Sequence, residues 1–413
     1  MKRFVLAGIG ALLIAGLAAA QEVATPKDLP PTVQAQAWID KDPAVVEARR
    51  ALDAAGHGAA VLAAGPHEWT ANASTQRRNV GGVGNTTEWS VGVERGIRIG
   101  GKAGLDRQLG EVDIEIARAR VSEARHEAAR ALSDLWLNWL EAHSAQALLK
   151  EQLSFAETNL AAVDKRKRAG DASALDLSIA QSDLAEVRRQ ASQADSTLAK
   201  AGAKLKLRFP EATLAPAALS DPAEPMWPEA RWRERIVAEA DPLKTAEGLV
   251  RRAELTASRT RADKVPDPTV GVFTSSEAFR NERVIGISVS IPFGGTVRER
   301  RLQQSLQEAE VARAALDRAR QGIEIEIAET HADAVGGLER WRIAERGAEA
   351  ARESARLTQR AYTLGEVDLQ SLLLVRRQSL EALRAAGEAR ADALRWNYRL
   401  LIDAHLIWNH AND

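Results

Sequence analysis

Hydrophobic and polar positions follow two different periods along this chain. Over most of its length Ala and Leu recur at helical spacing among interspersed Arg and Glu, and no proline interrupts residues 103–166 or 297–362. At 1.5 Å per residue, each of these stretches predicts one continuous helix on the order of 95–100 Å long. Shorter segments alternate between apolar and polar residues instead, which predicts strands.

The predicted strands form two pairs, at about 68–78 and 87–99 and at about 268–275 and 283–292. The last strand places its large apolar residues on one face and small or polar residues on the other. The apolar set is Ile285, Ile287, Val289 and Ile291. Such a strand is typical of a barrel wall between lipid and water. It is equally compatible with a half-buried hairpin of a soluble protein.

The two strand pairs belong to a tandem repeat. Shifting the sequence by 195 positions (365 − 170) places Gly170 on Gly365, and each half reads as helix, strand, loop, strand, long helix, tight turn, helix. We divide the chain into repeat 1 at 42–220 and repeat 2 at 221–413, after an N-terminal extended segment at 21–41. The tips of the two helical hairpins are predicted near residues 170 and 365.

Glycines mark the predicted boundaries between these elements. Gly100-Gly101 and Gly294-Gly295 separate each strand pair from the long helix that follows, and Gly170 and Gly365 end those helices. A tight reversal after a helix favours glycine because the turn needs a residue that tolerates a positive φ. These six glycines are therefore predicted as junction and hairpin-turn residues.

The first 20 residues predict a cleaved signal peptide. Lys2 and Arg3 precede an apolar run at 4–17, and three alanines at 18–20 supply a small-residue cleavage site. The chain has no cysteine, so we expect neither a disulfide nor lipid attachment through an N-terminal Cys. No later run reaches the roughly 18 apolar residues of a membrane helix, so entry into a membrane would require a closed β-barrel.

Charge and site chemistry exclude several function classes. Basic and acidic residues balance, 56 against 57, so no bulk attraction to nucleic acid is predicted. Residues 96–102 have the spacing of a phosphate-binding loop, but Ala103 stands where Mg²⁺ binding requires Ser or Thr. The seven histidines are scattered, and no nucleophile–base pattern stands out. We therefore predict neither an enzyme, nor a cofactor, nor a resident metal site.

Four strands in one protomer leave two open sheet edges, which are forbidden in lipid and promote aggregation in water. Closure between symmetric copies removes these edges, and three copies of four strands would give twelve strands. Barrel geometry makes two copies tight and four copies wide, without fixing the number at three.

At its two tips and its two strand-to-helix junctions, the sequence resembles the TolC-like outer-membrane efflux proteins, and the resemblance covers nearly the whole mature chain. The tips read Gly-Asp-Ala-Ser-Ala-Leu-Asp at 170–176 and Gly-Glu-Val-Asp-Leu at 365–369. The junctions read Arg-Ile-Gly-Gly-Lys at 98–102 and Ser-Val-Ser-Ile-Pro-Phe-Gly-Gly at 288–295. The junctions and the short length are most similar to the heavy-metal (CzcC-like) branch of that family.

The resemblance implies a mainly α fold with a small β part. A long α-helical coiled-coil barrel would continue from four β-strands per protomer, which complete a trimeric transmembrane β-barrel. The protein would be the outer-membrane exit duct of a tripartite efflux system, with most of its chain in the periplasm. Its partners would be two further copies of itself, outer-membrane lipid, a periplasmic adaptor (membrane fusion) protein and an inner-membrane pump of the proton-driven resistance-nodulation-division type. The expected cargo is divalent heavy-metal cations.

Two other interpretations stay open at the level of sequence. A drug duct or a type I secretion duct has the same build and differs only in cargo. From another class, a periplasmic coiled-coil structural or adaptor protein would also be rich in long helices. An adaptor usually has one hairpin flanked by small β-domains, whereas this chain has two hairpins.

In this family, acidic side chains just beyond the glycine turns narrow the periplasmic mouth, and Asp176 matches that position in the first hairpin. Ser371 and Leu374 stand where some members carry the acids of the second hairpin, so that hairpin departs from the acidic-filter pattern of the family. The candidates for the tip and pore constriction are Asp171, Asp176, Glu366, Asp368 and Ser371. The alternative is that acids and serines after a glycine cap the next helix.

Cations and tryptophans supply the remaining candidates. The residues that could contact an adaptor precede the two tips and are Arg166, Lys167, Arg168 and Arg360. The alternative is that they interact with the negative end of the helix dipole. Trp69 and Trp89 are candidates for an aromatic belt at a membrane interface, with core packing as the alternative.

Overall fold

Residues 23–409, the part of the chain that the computed structural model describes, contain eight α-helices, four strands and one short 3-10 helix at Ala278–Arg280. The helices are α1 (Thr32–Ile39), α2 (Pro43–Ala64), α3 (Lys102–Ala169), α4 (Ala174–Arg208), α5 (Glu229–Glu239), α6 (Asp241–Ala262), α7 (Thr296–Leu364) and α8 (Leu369–Asp403). The strands are β1 (Thr70–Val80), β2 (Gly84–Gly96), β3 (Thr269–Glu277) and β4 (Glu282–Ser290). The predicted signal peptide at 1–20 lies outside the described residues.

The two longest helices, α3 and α7, run the length of the molecule. They contain 68 and 69 residues, which at 1.5 Å per residue is on the order of 100 Å each. In the half near the sheet, the columns lie in the order α2–α3–α6–α7; in the half near the hairpin tips, the order is α4–α3–α8–α7. One flank of the protomer is therefore α7 along its whole length, and the other flank is α2 and then α4.

The helix starts at the two Asp-Pro sequences differ in their capping. Asp42 is the N-cap of α2 and accepts a hydrogen bond from the amide of Ala44 at 2.9 Å, with Pro43 at the first helical position. In α6, Asp241 is itself the first helical residue, and its carboxylate accepts from Ser122 Oγ at 2.8 Å instead. The repeat at these two sites thus preserves the helix start and changes the role of the acid.

All four strands form one antiparallel sheet in the order β1-β2-β3-β4. β1 and β4 are its edges, on the same flanks as α2 and α7. The sequence placed β2 at about 87–99, whereas the strand begins at Gly84 and ends at Gly96. The reason is the short turn at 81–83, which lets Gly84 pair with Val80 so that the ladder extends into the glycine-rich loop.

The two faces of the sheet differ in polarity. Cross-strand partners share a face, so the register joins Val93 to Val272 and Val272 to Ile287 on one side. On this side, Ile285 is 86% and Ile287 76% exposed within the protomer. The opposite side carries mainly Ser, Thr, Glu, Gly, Asn and Gln, with Arg78 and three apolar residues, Val80, Phe273 and Val284. The fold prediction of one apolar and one polar face is confirmed, and the apolar face has no covering layer in the described protomer.

The main hydrophobic core lies midway along the helices, where shorter segments wrap around α3, α7 and α8; we call this region the belt. Its tryptophans pack together, with the Trp38 and Trp136 ring centroids 6.3 Å apart and Trp232 fully buried. The expectation of an extended segment at 21–41 is wrong for its second half, because Thr32–Ile39 is helical. Helix formation after Pro31 lets Ala35, Trp38 and Ile39 face the core together.

Candidate functional site

The two strand-to-helix junctions use their glycine pairs differently. Gly100 and Gly101 both have positive φ, 69° and 78°, a conformation that strongly favours glycine. Gly295, in contrast, is extended with φ −157°. Only the first pair is therefore required for a left-handed backbone conformation. Both pairs lie between a strand and a long helix, as the sequence predicted.

Lys102 of the apparent phosphate loop is a structural residue. Its ammonium group donates to Val265 O at 2.7 Å and to Asp267 Oδ1 at 2.8 Å, and its side chain is almost fully buried. Burial alone would raise the pKa of Asp267, but hydrogen bonds from Lys102, from the amide of Ile99 and from His67 outweigh it and lower that pKa to about 2. Lys102 belongs to repeat 1 and its two partners to repeat 2, so the lysine connects the two repeats at the base of the sheet.

At both tips, a left-handed glycine ends the long helix. Gly170 has φ 88°, and its amide and that of Asp171 bond back to Lys167 O and Arg166 O at 3.1 and 2.8 Å. Gly365 (φ 79°) and Glu366 repeat the arrangement on α7. This pair of bonds is a Schellman turn, which satisfies carbonyls at a helix end.

Two of the five acidic or polar candidates cap the return helices. Ser173 and Asp176 form a capping box: Ser173 N donates to Asp176 Oδ2 at 2.9 Å and Asp176 N donates to Ser173 Oγ at 3.0 Å. In the second hairpin, Asp368 accepts from the amide of Ser371 at 2.7 Å. The hydrogen bond from the Ser173 amide lowers the pKa of Asp176, and that from Ser371 lowers the pKa of Asp368. Both carboxylates stay ionised at neutral pH.

Asp171 and Glu366 are not caps. Each follows its glycine directly, contributes its amide to the Schellman turn, and leaves its side chain exposed. The sequence suggested capping by both Asp171 and Ser173; the prediction is confirmed for Ser173 and wrong for Asp171. The tips thus expose two carboxylates at the turns, besides the two that cap helices.

The two tips of one protomer pack against each other. Arg166 Nη1 donates to the Tyr362 hydroxyl at 3.2 Å, and its guanidinium lies 5.6 Å from the centroid of that ring. A small hydrophobic cluster joins both hairpins beneath, with Val163 and Leu372 buried in it. Acids from both hairpins therefore share one end of the molecule. The negative charge of Asp368 acts on Asp176 and raises its pKa, although the hydrogen bonds from Ser173 lower that pKa by more.

The cations that precede the tips have different surroundings. Arg166 binds the second hairpin through Tyr362, whereas Arg168 pairs with Asp164 of its own helix at 2.5 Å. Lys167 and Arg360 are exposed. Cations in the last turn of α3 are also where the helix dipole favours them, so Lys167 and Arg360 are the two most available for a partner.

Trp69 and Trp89 lie on the apolar face of the sheet and not in a core. Trp69 is 67% and Trp89 43% exposed, and the Arg95 guanidinium lies 5.5 Å from the centroid of the Trp69 ring. Trp89 faces Thr75 and Ser276 in the neighbouring strands. The register separates the two tryptophan levels by six residues along β2, or about 20 Å.

Charges on the two faces of the sheet are segregated by sign. The apolar face carries only cations at its ends: Arg77, Arg95 and Arg283. The polar face carries four acids and one cation: Glu88, Glu94, Glu277, Glu282 and Arg78. Alternation in the sequence shows which residues of one strand share a face. Only the register between strands shows that the acids of separate strands lie on the same face.

The belt contains a site that sequence reasoning missed. Asp403 accepts from Arg130 Nε at 2.7 Å, and its Oδ1 lies 3.2 Å from His126 Nε2. The His126 and His405 ring centroids are 5.2 Å apart. These histidines border a cavity of about 930 Å³ between α2, α3, α6 and the C-terminal segment. The four residues form two close pairs, His126 with Arg130 and Asp403 with His405, which are more than 270 positions apart, so the sequence gave no signal that the pairs meet.

We expect the histidine pair to make the protein less stable in acid. Burial lowers the pKa of His405, and His126 lowers it further against the smaller opposing effects of Asp241 and Glu239; Lys244 adds to the lowering. A histidine with a depressed pKa stabilises the fold above the ordinary value of about 6.5, and that contribution is lost as pH falls. The apparent melting temperature should therefore decrease between about pH 7 and pH 5.

The matched variant for this test is His405→Asn, because His405 has φ 55° and Asn tolerates this conformation. Its melting temperature should vary less with pH than that of the wild type over the same range. Identical pH profiles for the two proteins would rule out His405 as the titrating group.

The described residues hold neither a cluster of metal ligands nor a membrane-spanning helix. Within residues 23–409, no group of three or more His, Asp or Glu side chains is arranged to hold a metal ion. Among the helices of that same range, none is both long and apolar enough to span a bilayer.

Comparison with known proteins identifies the fold. No protein-family model and no curated protein matches the sequence. Among solved structures, the outer-membrane channel OprN is similar with a TM-score of 0.75 at 18% identity, covering 91% of this chain and 90% of that one. CusC, whose structures concern transmembrane channel formation, matches with a TM-score of 0.73 at 15% identity, covering 90% and 91%. The Campylobacter jejuni CmeC outer membrane channel matches at 0.71 and 13%, covering 92% and 86%. The chain therefore has the fold of these outer-membrane channels, a mostly helical protein with a four-stranded antiparallel sheet.

Proposed function

We propose that this protein is the outer-membrane exit duct of a tripartite efflux system and acts as a homotrimer. The observation that carries the proposal is an uncovered apolar sheet with two open edges, mounted on helices on the order of 100 Å long. Such a sheet is unstable in water alone, because it exposes both apolar surface and unpaired backbone groups. Closure into a barrel within lipid satisfies both.

The arrangement of the flanks supports closure in a ring. β1 and α2 lie on one flank and β4 and α7 on the other, so each flank of one protomer meets a different flank of the next. Contacts between unlike surfaces generate cyclic assemblies. The likeness to OprN, CusC and CmeC over about nine-tenths of the chain supports the choice of three copies.

The ends of the apolar face support a place in a bilayer. Trp69 with Arg95 at one end and Trp89 with Arg283 at the other bracket a band of Val, Ile and Ala residues. Tryptophan is enriched at the levels where lipid headgroups begin, and arginine interacts with their phosphates. The separation of about 20 Å is close to the roughly 25 Å apolar band of outer-membrane barrels.

For the cargo, we propose cations, and divalent heavy-metal ions in particular. The polar face of the sheet would line the lumen, and its four glutamates against one arginine give each protomer a net charge of −3 there (1 − 4). Ionised Asp176 and Asp368 add negative charge at the other end. Rings of carboxylates favour cation passage.

We propose that the exposed Lys167 and Arg360 meet the periplasmic adaptor, which joins the duct to an inner-membrane pump.

Replacing the two capping aspartates with asparagine should reduce the cation selectivity of the channel. Asn is a good N-cap at position 368, and at position 176 its side-chain oxygen can still accept from the Ser173 amide of the capping box. Asp176→Asn with Asp368→Asn therefore removes charge at the tips while it preserves the helix ends. The measurement is the reversal potential of the purified trimer in a planar bilayer under a salt gradient. Ser173→Ala weakens the same cap without changing charge and should leave the reversal potential unchanged. A double variant as selective as the wild type would place the filter elsewhere.

Fractionation and growth assays test the class and the cargo separately. The proposed duct should be recovered from outer-membrane fractions as a trimer; recovery as a soluble periplasmic monomer would refute it. A deletion strain should grow poorly on zinc, cobalt, cadmium or copper salts. Sensitivity to drugs without sensitivity to metals would support the drug-duct alternative and exclude heavy metals as the cargo.

A further inference from the structure

The loop that joins β3 to β4, residues 278–281, adopts an unusual backbone. Ala278 has φ 46° and Arg280 φ 68°, and neither is glycine. Residues with side chains occupy this region only where their surroundings hold them there. We call this segment the outer loop, since it lies at the end of the sheet farthest from the helical tips.

The outer loop contacts a strand outside its own hairpin. It packs against β2 as well as β3 and β4, and the amide of Ala278 donates to Glu88 Oε1 at 3.4 Å. Glu88 belongs to β2 and lies on the polar face of the sheet. The loop therefore turns across β3 toward the polar side and does not continue straight beyond the strands.

On the polar face of the sheet, burial follows strand position, and Glu88 is the least exposed polar residue there. In the central strands, Thr86 and Ser275 near the loop are buried and so are Gly92 and Gly271 farther from it, whereas Asn72 and Ser74 on the edge strand β1 are exposed. Edge position contributes to the exposure of β1, but Glu88 is almost inaccessible on a face with no second layer of helices or strands.

Glu88 is the anchor of the outer loop. Besides the Ala278 amide, its carboxylate accepts from Gln76 Nε2 at 2.8 Å and lies 3.1 Å from Arg78 Nη2. A carboxylate buried this completely is stable only because charged and polar donors satisfy both of its oxygens. Removing its charge should weaken the hold on the loop without disturbing the strands.

We infer that the outer loops of three protomers form a second constriction, at the mouth of the duct opposite the helical tips, and that Glu88 holds each loop in the lumen. This inference rests on the proposed function, because only a closed barrel turns the polar face into a lumen. The duct then has a restriction at each end, and the outer one can admit or exclude solutes independently of the tips.

The chain contains no cysteine, so single cysteines can test this directly. Arg280→Cys is incorporated as purified full-length trimer into planar bilayers and treated from the loop side with a negatively charged methanethiosulfonate. We expect a loss of single-channel conductance that dithiothreitol restores. Unchanged conductance in protein shown to be fully labelled would overturn the inference. Asn281→Cys repeats the test in a second position of the same loop.

Two controls separate the possible failures. Ile285→Cys lies on the apolar face, 86% exposed, and its labelling should leave conductance unchanged. Glu88→Gln combined with Arg280→Cys should be labelled faster than Arg280→Cys alone; equal labelling rates would exclude Glu88 as the anchor. If the unlabelled wild type neither forms trimers nor conducts, the proposed duct itself is wrong, whereas a conducting wild type that labelling does not affect refutes the outer constriction alone.

Discussion

Replacing Val311 and Leu357 with glutamate should abolish formation of the proposed trimer while each protomer keeps its helices. Both residues are exposed in the protomer, by 69% and 51%, and both lie on α7, the helix that forms one entire flank. Three copies of each substitution would place six carboxylates in an apolar interface. Burying a charge without a partner is strongly unfavourable, so the assembled state should lose several kcal/mol per site.

The reason to expect an interface there is the spacing of exposed apolar residues on α7. Six of the seven form one stripe, and the seventh, Val335, does not fit its spacing; the six are Val297, Val311, Ile325, Ile343, Leu357 and Leu364. Successive spacings of 14, 14, 18, 14 and 7 residues correspond to whole numbers of turns at 3.5 to 3.6 residues per turn. A stripe that stays on one side for the length of a helix needs a partner helix, and within the protomer that side has none.

The partner surface would be the other flank of the next copy. There, α2 exposes Val46 and Val61, and α4 exposes Leu175 and Leu207. An interface along helices this long belongs to the large, apolar class typical of obligate oligomers.

Size-exclusion chromatography with light scattering, in detergent, measures the outcome, and circular dichroism reports whether the helices persist. Val311→Ile and Leu357→Met are the matched controls, since they preserve apolar volume at the same positions and should assemble normally. Trimers formed equally well by the double glutamate variant would show that α7 does not form the contact between protomers.

The long helices and the sheet could be predicted because the determinants are local. The absence of proline across α3 and α7 and the alternation in β4 are visible within a short window of sequence. The tip glycines were likewise predictable, since a Schellman turn needs positive φ at one position. Even so, the sequence could not distinguish the left-handed Gly101 from the extended Gly295, because both precede a long helix.

The belt was not predictable from the same signals. Its core joins Trp38, Trp136, Trp232 and Trp408, which are separated by up to several hundred positions in the chain. Periodicity identifies which face of one element is buried and says nothing about which distant element covers it. The helix at Thr32–Ile39, the His126–His405 pair and the cavity all depend on such long-range packing, so they emerged only from the structure.

Within the belt, Asp403→Ala should cause a large loss of stability. Asp403 is 5% exposed and accepts from Arg130 and Arg399 as well as lying beside His126. Burial raises its pKa, but His126 and Arg130 outweigh this and hold that pKa below its ordinary value. The carboxylate is thus ionised in the fold, and its removal leaves buried cations without their main partner.

Breaking a buried ion pair by removing one partner costs about 3–5 kcal/mol. The lower end of that range applies here, since Arg130 retains Glu326 at 3.2 Å and Glu127 at 2.7 Å. Because the Asp403 pKa is depressed, its stabilisation is present above about pH 4 and is lost as pH falls further. The melting temperatures of wild type and variant should therefore differ widely at pH 7 and converge in acid.

The control is Glu186→Ala, which removes an exposed ion pair between two residues of α4, Glu186 and Arg189. Exposed pairs contribute little because water and salt screen them, so this variant should melt with the wild type at every pH. A second comparison, Asp403→Leu with Arg130→Met, replaces the main pair by apolar side chains of similar size and should recover part of the loss. If Asp403→Ala melts at the same temperature as the wild type at pH 7, the ion pairs of Asp403 with Arg130 and Arg399 do not stabilise the belt.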